Sequence, residues 1–290
     1  MTIWTEFAGL PVKQTYYDAK GIRTRVIEGG EGNAETLICL HGTGGHAEAF
    51  SRNFRSHIKH FRVVSMDMIG HGYTDAPDIE YSMDLFADHV ANMIDALGVK
   101  SACITGESLG GMVGAHVAIK YPEKVKKLVM NTGVLVGRTK EDRVGLQDLL
   151  DRSKKATGEL TREAIRQRLN WLMHKPEKDV TEELIDVRYG VYTQPGRAKI
   201  IGRIGQLIMG GLLEDAWTTK YSNEKDLAKV LCPTLILWTK YNPDLSAENA
   251  RKALPYLPNG KMVVLENSAH WPQWEETELY DKIHLEFLRS

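Results

Sequence analysis

The chain has 290 residues, 42% hydrophobic and 26% charged, with a formal net charge of −1; this suits a soluble globular core in one large domain, or one domain with an insertion. So small a charge argues against an electrostatic nucleic-acid or membrane partner and is compatible with self-association as a homo-oligomer. No apolar run approaches the roughly 20 residues of a membrane span, and the stretch Met1-Thr2-Ile3-Trp4-Thr5-Glu6 lacks the basic and apolar regions of a signal peptide.

In chain order, apolar runs alternate with helical patterns. Strands are expected over 22–28, 36–40, 62–67, 102–105, 127–130, 234–239 and 261–265. Several of these are continuously apolar, as strands of a parallel sheet covered on both faces are. Helices are expected over 46–58, 84–97, 108–120, 246–254 and 275–288. In the second of these, Leu85, Val90, Met93, Ile94 and Leu97 recur on one side at the helical period. The pattern is α/β and doubly wound. It breaks between about residues 133 and 228, where the sequence is charged and helical over 141–155, 161–174, 181–189 and 198–208. Thr161 and Thr181 offer helix-start chemistry there. The expected organisation is a sheet core over 1–133 and 228–290 with a helical lid over 134–227. Cys39, Cys103 and Cys232 sit in or beside apolar runs, as free thiols of a cytoplasmic protein would, and their spacing suits no metal site.

Chemistry concentrates after the strands. Gly106-Glu107-Ser108-Leu109-Gly110-Gly111 lies between the strand at 102–105 and the helix beginning at 108. A strand, a G-x-S-x-G turn and a helix describe a nucleophile elbow, in which small neighbours let the serine hydroxyl stand clear at a helix N-terminus. Upstream, His41-Gly42-Thr43-Gly44-Gly45 follows the strand at 36–40. Its glycines let backbone approach a reacting carbonyl, so the amides of Thr43 and Leu109 are the expected oxyanion donors, with Gly42 beside the substrate. His270 follows the strand at 261–265, where this chain order requires its histidine. The acid belongs after the strand at 234–239, where Asn242 stands at the expected position and Asp244 is an available carboxylate two residues on. His41 is read as shaping its loop, and Asp67 as ordering a turn. No metal and no cofactor is called for.

These residues resemble the α/β-hydrolase superfamily across nearly the whole chain. Closer in, the chain resembles the hydrolases that cleave carbon–carbon bonds in meta-ring-fission products of aromatic degradation. The narrower match rests on the double glycine Gly110-Gly111, on the run His270-Trp271-Pro272-Gln273-Trp274-Glu275, and on Thr181 to Tyr189, which resembles a stretch carrying a substrate-binding arginine. That resemblance implies an α/β-hydrolase fold, Arg188 as a clamp for a substrate carboxylate, and Trp271 packed against the substrate. Counting from Trp238 with the family's spacing places Asn242 in the acid position, with Asp244 as the alternative. The chain departs from the family in having Glu107 before the serine in place of asparagine, Thr43-Gly44-Gly45-His46 in place of a loop richer in glycine and containing proline, and Asn242 in place of aspartate.

The expected activity is hydrolysis of a vinylogous diketone acid: His270 moves a proton so that a dienol becomes a ketone, Ser108 attacks, and water releases a carboxylic acid. A carboxylesterase or lactonase would use the same serine and histidine without the arginine clamp. A cofactor-free oxygenase or lyase would use His270 as base with the serine only positioning the substrate. A ligand receptor with a residual triad would bind without turnover. Ser108 excludes dehalogenase and epoxide-hydrolase chemistry, which needs a carboxylate nucleophile.

Overall fold

The computed structural model describes residues 2–290. Eight strands form one sheet: β1 Val12–Asp18, β2 Arg23–Gly29, β3 Thr36–Leu40, β4 Arg62–Met66, β5 Ala102–Glu107, β6 Val125–Asn131, β7 Thr234–Thr239 and β8 Gly260–Leu265. Their spatial order is β1-β2-β4-β3-β5-β6-β7-β8. The first two pairings, β1 with β2 and β2 with β4, are antiparallel; all the others are parallel. The helices that matter below are α1 Met83–Ala96, α2 Leu109–Lys120, α3 Lys140–Glu159, α4 Arg162–Leu172, α5 Glu182–Tyr192, α6 Arg197–Gly205, α7 Asp215–Tyr221 and α8 Thr277–Arg289.

The continuous apolar runs are strands with two buried faces. Successive side chains of a strand point to opposite sides. On β3, Ile38 and Leu40 enter one apolar cluster, while Leu37 and Cys39 enter the other. On β7, Ile236 and Trp238 join the first cluster, Leu235 and Leu237 the second. All five residues of β3 and all six of β7 are buried. This double coverage explains why the sequence shows no alternation there.

Between β6 and β7 the chain is helical, with no strand among the described residues. Thr161 and Thr181 cap α4 and α5 by accepting the N–H of Ala164 and Leu184. Three differences from the sequence expectation have physical causes. β1 was not expected, because it is a largely polar edge strand whose residues are all exposed or half-buried. The first expected helix, over 46–58, is mostly 3₁₀ before a short α turn at Phe54–His57. The last breaks at Glu276, with one short helix at Pro272–Glu275 and then α8; the Glu276 side chain leaves the helix register to accept from Asn267 N–H and Ser268 Oγ–H. No helix of the described residues is long and apolar enough to cross a membrane.

Candidate active site

Loops leave parallel strands at their C-terminal ends, and ligands of such sheets bind there. Five of these loops, after β3, β5, β6, β7 and β8, meet at one cavity of about 560 Å³ of atom-free space including its mouth.

Ser108 occupies the turn from β5 into α2, with φ 54° and ψ −117°. A side chain in this region is strained and persists only where the surroundings over-determine it. Those surroundings are glycines at close approach: a Cβ on Gly106 would lie 2.1 Å from backbone atoms of Gly110, and one on Gly110 would lie 2.3 Å from Leu40 O. The Ser108 carbonyl accepts from Gly111 and Met112 N–H at 3.0 and 3.2 Å. It therefore points into α2, and the Leu109 N–H, anti to it across a planar peptide, points out of the helix N-terminus.

The loop after β3 is fixed by its carbonyls. Gly42 O accepts from His41 Nδ1–H at 2.7 Å and from Gly45 N–H at 2.9 Å. His41 Nε2 in turn accepts from Met68 N–H. Burial, the largest cause, holds the His41 imidazole neutral, well below its usual pKa, and its role is to shape the loop. The Thr43 N–H, anti to Gly42 O, is directed away from His41 and Gly45. Thr43 O accepts from Arg168 Nη2 at 2.8 Å, and Gly44 O from the Tyr192 hydroxyl at 3.1 Å. The Gly42 N–H is engaged by Glu107 Oε2 at 2.6 Å.

His270 is 2% exposed. Its Nδ1–H donates to Asn242 Oδ1 at 2.5 Å. The orientation of that amide follows from its other end, where Asn242 Nδ2 donates to Asp244 Oδ1 at 2.8 Å and Leu245 O at 3.0 Å. Asn242 thus presents oxygen, not nitrogen, to the ring, and Nε2 is left as the basic nitrogen facing the cavity. Asp244 Oδ1 is 3.7 Å from His270 Nδ1. Burial lowers the pKa of His270, and the charge of Asp244 opposes that shift.

Ser108, Leu109, Gly42, Thr43, Asp244, His270, Trp271 and Arg188 all line the cavity; Asn242 sits behind His270. Arg188 is 1% exposed, and none of its three guanidinium nitrogens has a hydrogen-bond partner among the described residues. Burial, the largest cause, lowers its pKa to about 10. The Trp271 ring lies beside it, with its centroid 5.4 Å from Cζ. Three further charged residues line the cavity that sequence reasoning did not select: Glu107, Arg138 and Arg168. Arg168 was findable: it lies on the apolar stripe of α4, three or four residues from Ala164, Ile165 and Leu172, all buried. A charge on the core-facing stripe of a helix is seldom a solvated one. Among the described residues, no group of His, Cys, Asp and Glu is arranged to hold a metal ion.

Residues 35–277 match the family model described as the alpha/beta hydrolase fold. The chain is 30% identical to a 2-hydroxy-6-oxo-6-(2'-aminophenyl)hexa-2,4-dienoic acid hydrolase of Metapseudomonas resinovorans, over 95% of this chain and 90% of the relative. It is 28% identical to a 2-hydroxymuconate semialdehyde hydrolase of Pseudomonas putida, over 93% and 92% of the two chains. Among solved structures, a serine hydrolase involved in carbazole degradation superposes with a TM-score of 0.78 at 25% identity, covering 96% of this chain and 99% of that one.

Proposed function

The chain belongs to the α/β-hydrolase fold family, and on that premise we propose that it hydrolyses a carbon–carbon bond in a ring-fission product of aromatic degradation, with Ser108 as nucleophile and His270 as base. The observation that carries this reading is Arg188. A buried guanidinium with every nitrogen unpaired is costly unless a ligand completes it. A substrate carboxylate does so with charge-assisted, bidentate hydrogen bonds, in the cavity that Arg188 lines together with Ser108 and His270. A neutral ester would leave that cation unpaired, which is why the esterase reading is weaker.

With the carboxylate on Arg188, the dienol lies along the cavity towards Ser108. His270 Nε2 exchanges a proton with the dienol system, and the resulting ketone is the electron sink for the bond to be broken. Ser108 Oγ then adds to the remaining carbonyl while its proton passes to Nε2. The N–H groups of Thr43 and Leu109 are the donors for the oxyanion; the orientations of the Gly42 and Ser108 carbonyls support that assignment. The carbon–carbon bond breaks as the oxyanion collapses, and water releases the acyl group from Ser108. Asn242 acts as the orienting residue for His270, with Asp244 behind it, and the helices between β6 and β7 act as the lid. The test is direct. Incubation with 2-hydroxy-6-oxo-6-(2'-aminophenyl)hexa-2,4-dienoate should yield 2-aminobenzoate and 2-hydroxypenta-2,4-dienoate. Unchanged substrate alongside rapid turnover of neutral aryl esters would favour an esterase instead.

A further inference from the structure

Glu107 stands next to the serine, yet its side chain spans two parts of the site. Oε2 accepts the Gly42 N–H at 2.6 Å, and Oε1 lies 3.4 Å from His270 Nε2. The carboxyl is 1% exposed. The charged and titratable groups around it are His270 from the loop after β8, Asp244 from the loop after β7, Arg168 on α4, Arg188 on α5 and Tyr280 on α8.

The contact with His270 has a consequence for protons. The Nδ1–H of His270 is committed to Asn242, so a neutral ring turns a lone pair towards Glu107. A carboxylate and a lone pair at 3.4 Å repel. A single proton between them, as O–H facing Nε2 or as N–H facing a carboxylate, makes the contact attractive. We propose that Glu107 is a positioning residue that shares one proton with His270 Nε2 in the substrate-free site, and that this is the proton His270 places on substrate carbon. The second half of the proposal rests on the carbon–carbon hydrolase reading above. Burial, the largest cause, pushes the Glu107 carboxyl up to about 7, against the pull of the Gly42 N–H and of Arg188 and Arg168. A carboxyl so placed keeps a proton close to neutrality.

The proton count closes. The substrate enters as its dienolate, having left the enol proton in water. The shared proton leaves Nε2 and forms the new C–H bond with an electron pair of the conjugated chain, while the enolate oxygen becomes a carbonyl. The pair is left as neutral His270 and Glu107 carboxylate. When Ser108 forms its bond to carbon, its own proton moves to Nε2, and the imidazolium then lies between the Glu107 carboxylate and the Asn242 carbonyl. Glu107 thereby supplies, on the Nε2 side, the negative charge that Asn242 lacks.

The experiment compares the wild type with Glu107→Gln, which keeps the shape and the acceptor for Gly42, and with Glu107→Asp, which keeps the acid on a shorter reach. ¹⁵N NMR of histidine-labelled, substrate-free protein reads the titration of His270 Nε2. In the wild type Nε2 should stay protonated, or hydrogen-bonded to a proton on Glu107, to at least one pH unit higher than in Glu107→Gln, as its ¹⁵N shift reports. Stopped-flow mixing with the dienolate of 2-hydroxy-6-oxo-6-(2'-aminophenyl)hexa-2,4-dienoate reads ketonisation. It should slow roughly tenfold or more in Glu107→Gln, with KM nearly constant and partial recovery in Glu107→Asp. Identical His270 Nε2 ¹⁵N shifts across the pH range in wild type and folded Glu107→Gln would overturn the shared proton. Equal ketonisation rates would overturn its delivery to carbon. Wild type that leaves this dienolate unchanged would instead refute the hydrolase reading, and the NMR titration would still decide the shared proton.

Discussion

Replacing Arg188 by methionine should make the protein more stable and less active. Burial lowers the pKa of the guanidinium from its ordinary value to about 10, and each pH unit corresponds to about 1.4 kcal/mol. The charge therefore costs the folded state about 3 kcal/mol. The sign follows from linkage. The unfolded arginine keeps its proton to higher pH than the folded one, which holds it up to about 10, so the cost is present in full at pH values well below 10 and is lost only as pH rises beyond that. Methionine fills much of the same space without charge; the small void it leaves and the lost contact with the Trp271 ring together cost about 1 kcal/mol. The expected net gain is about 2 kcal/mol, read as a higher urea midpoint by tryptophan fluorescence at pH 7.5. The same variant should lose at least about tenfold in kcat/KM for the carboxylate-bearing dienolate, from a lost charged hydrogen bond worth roughly 1.5–3 kcal/mol, and far less for a neutral aryl ester. Benzoate, as an unreactive carboxylate, should raise the melting temperature of the wild type only. A variant that unfolds at lower urea and keeps its kcat/KM for the dienolate would refute the reasoning, because Arg188 would then have a structural partner.

Ser108→Ala should fold normally and lose acyl transfer, and a serine-directed phosphonate should add its mass to Ser108 in the wild type; labelling elsewhere would discard the assignment. Asn242→Asp alone brings a second carboxylate to hydrogen-bond distance of Asp244, so its gain in aryl-ester hydrolysis should be smaller than that of the double variant Asn242→Asp, Asp244→Asn, which keeps one charge and moves it against Nδ1. Steady-state rates at pH 8 decide it, with roughly tenfold or more expected for the double variant by analogy with triad asparagine effects. Glu107→Gln should match the wild type in stability at pH 4 and exceed it by about 3 kcal/mol at pH 8. The unfolded carboxyl ionises near 4.5 and the folded one near 7, so only the wild type loses stability as pH rises through that window. Urea midpoints across pH 4–8 that stay parallel for the two proteins would contradict this.

What could be read from sequence was whatever local chemistry dictates. β3 and β7 were read to the residue because buried apolar runs end abruptly at turns. Thr161 and Thr181 gave away the starts of α4 and α5 because a cap is a local hydrogen bond. α7 was missed: Asp215–Tyr221 is a single short helix with two threonines and a tryptophan, which carries little helical signal of its own. In the site, chain order alone brought Ser108 and His270 to one cavity. The contact between Glu107 and the Gly42 amide depends on the parallel register of β3 with β5 and on the shape of two loops. None of that is encoded within a few residues of either partner. Arg188 and Arg168 lie between. Their place on core-facing stripes is legible in the heptad-like spacing, but what they face is set by how α4 and α5 pack over the sheet.

The asparagine at position 242 need not imply a weakened site once charge is followed through space instead of along the motif. The acidic charge is moved two residues on, to Asp244, whose Oδ1 accepts from Asn242 Nδ2 at 2.8 Å and lies 3.7 Å from His270 Nδ1. The amide relays orientation, because its NH₂ is anchored and its oxygen must face His270. It relays charge less well, since an amide polarised by a carboxylate is still neutral. A second carboxyl, Glu107, stands at the other nitrogen. A site built for rapid ester hydrolysis gains from a permanent negative charge at Nδ1, which favours removing the serine proton. A site that must first protonate carbon gains from holding a proton at Nε2 and from a ring that is not too basic to release it. Burial that lowers the His270 pKa and raises that of Glu107 serves the second requirement. On the proposed mechanism the two departures from the expected motif, Asn242 and Glu107, act together: one removes charge where it would retain the proton too strongly, and the other places it where the proton is used.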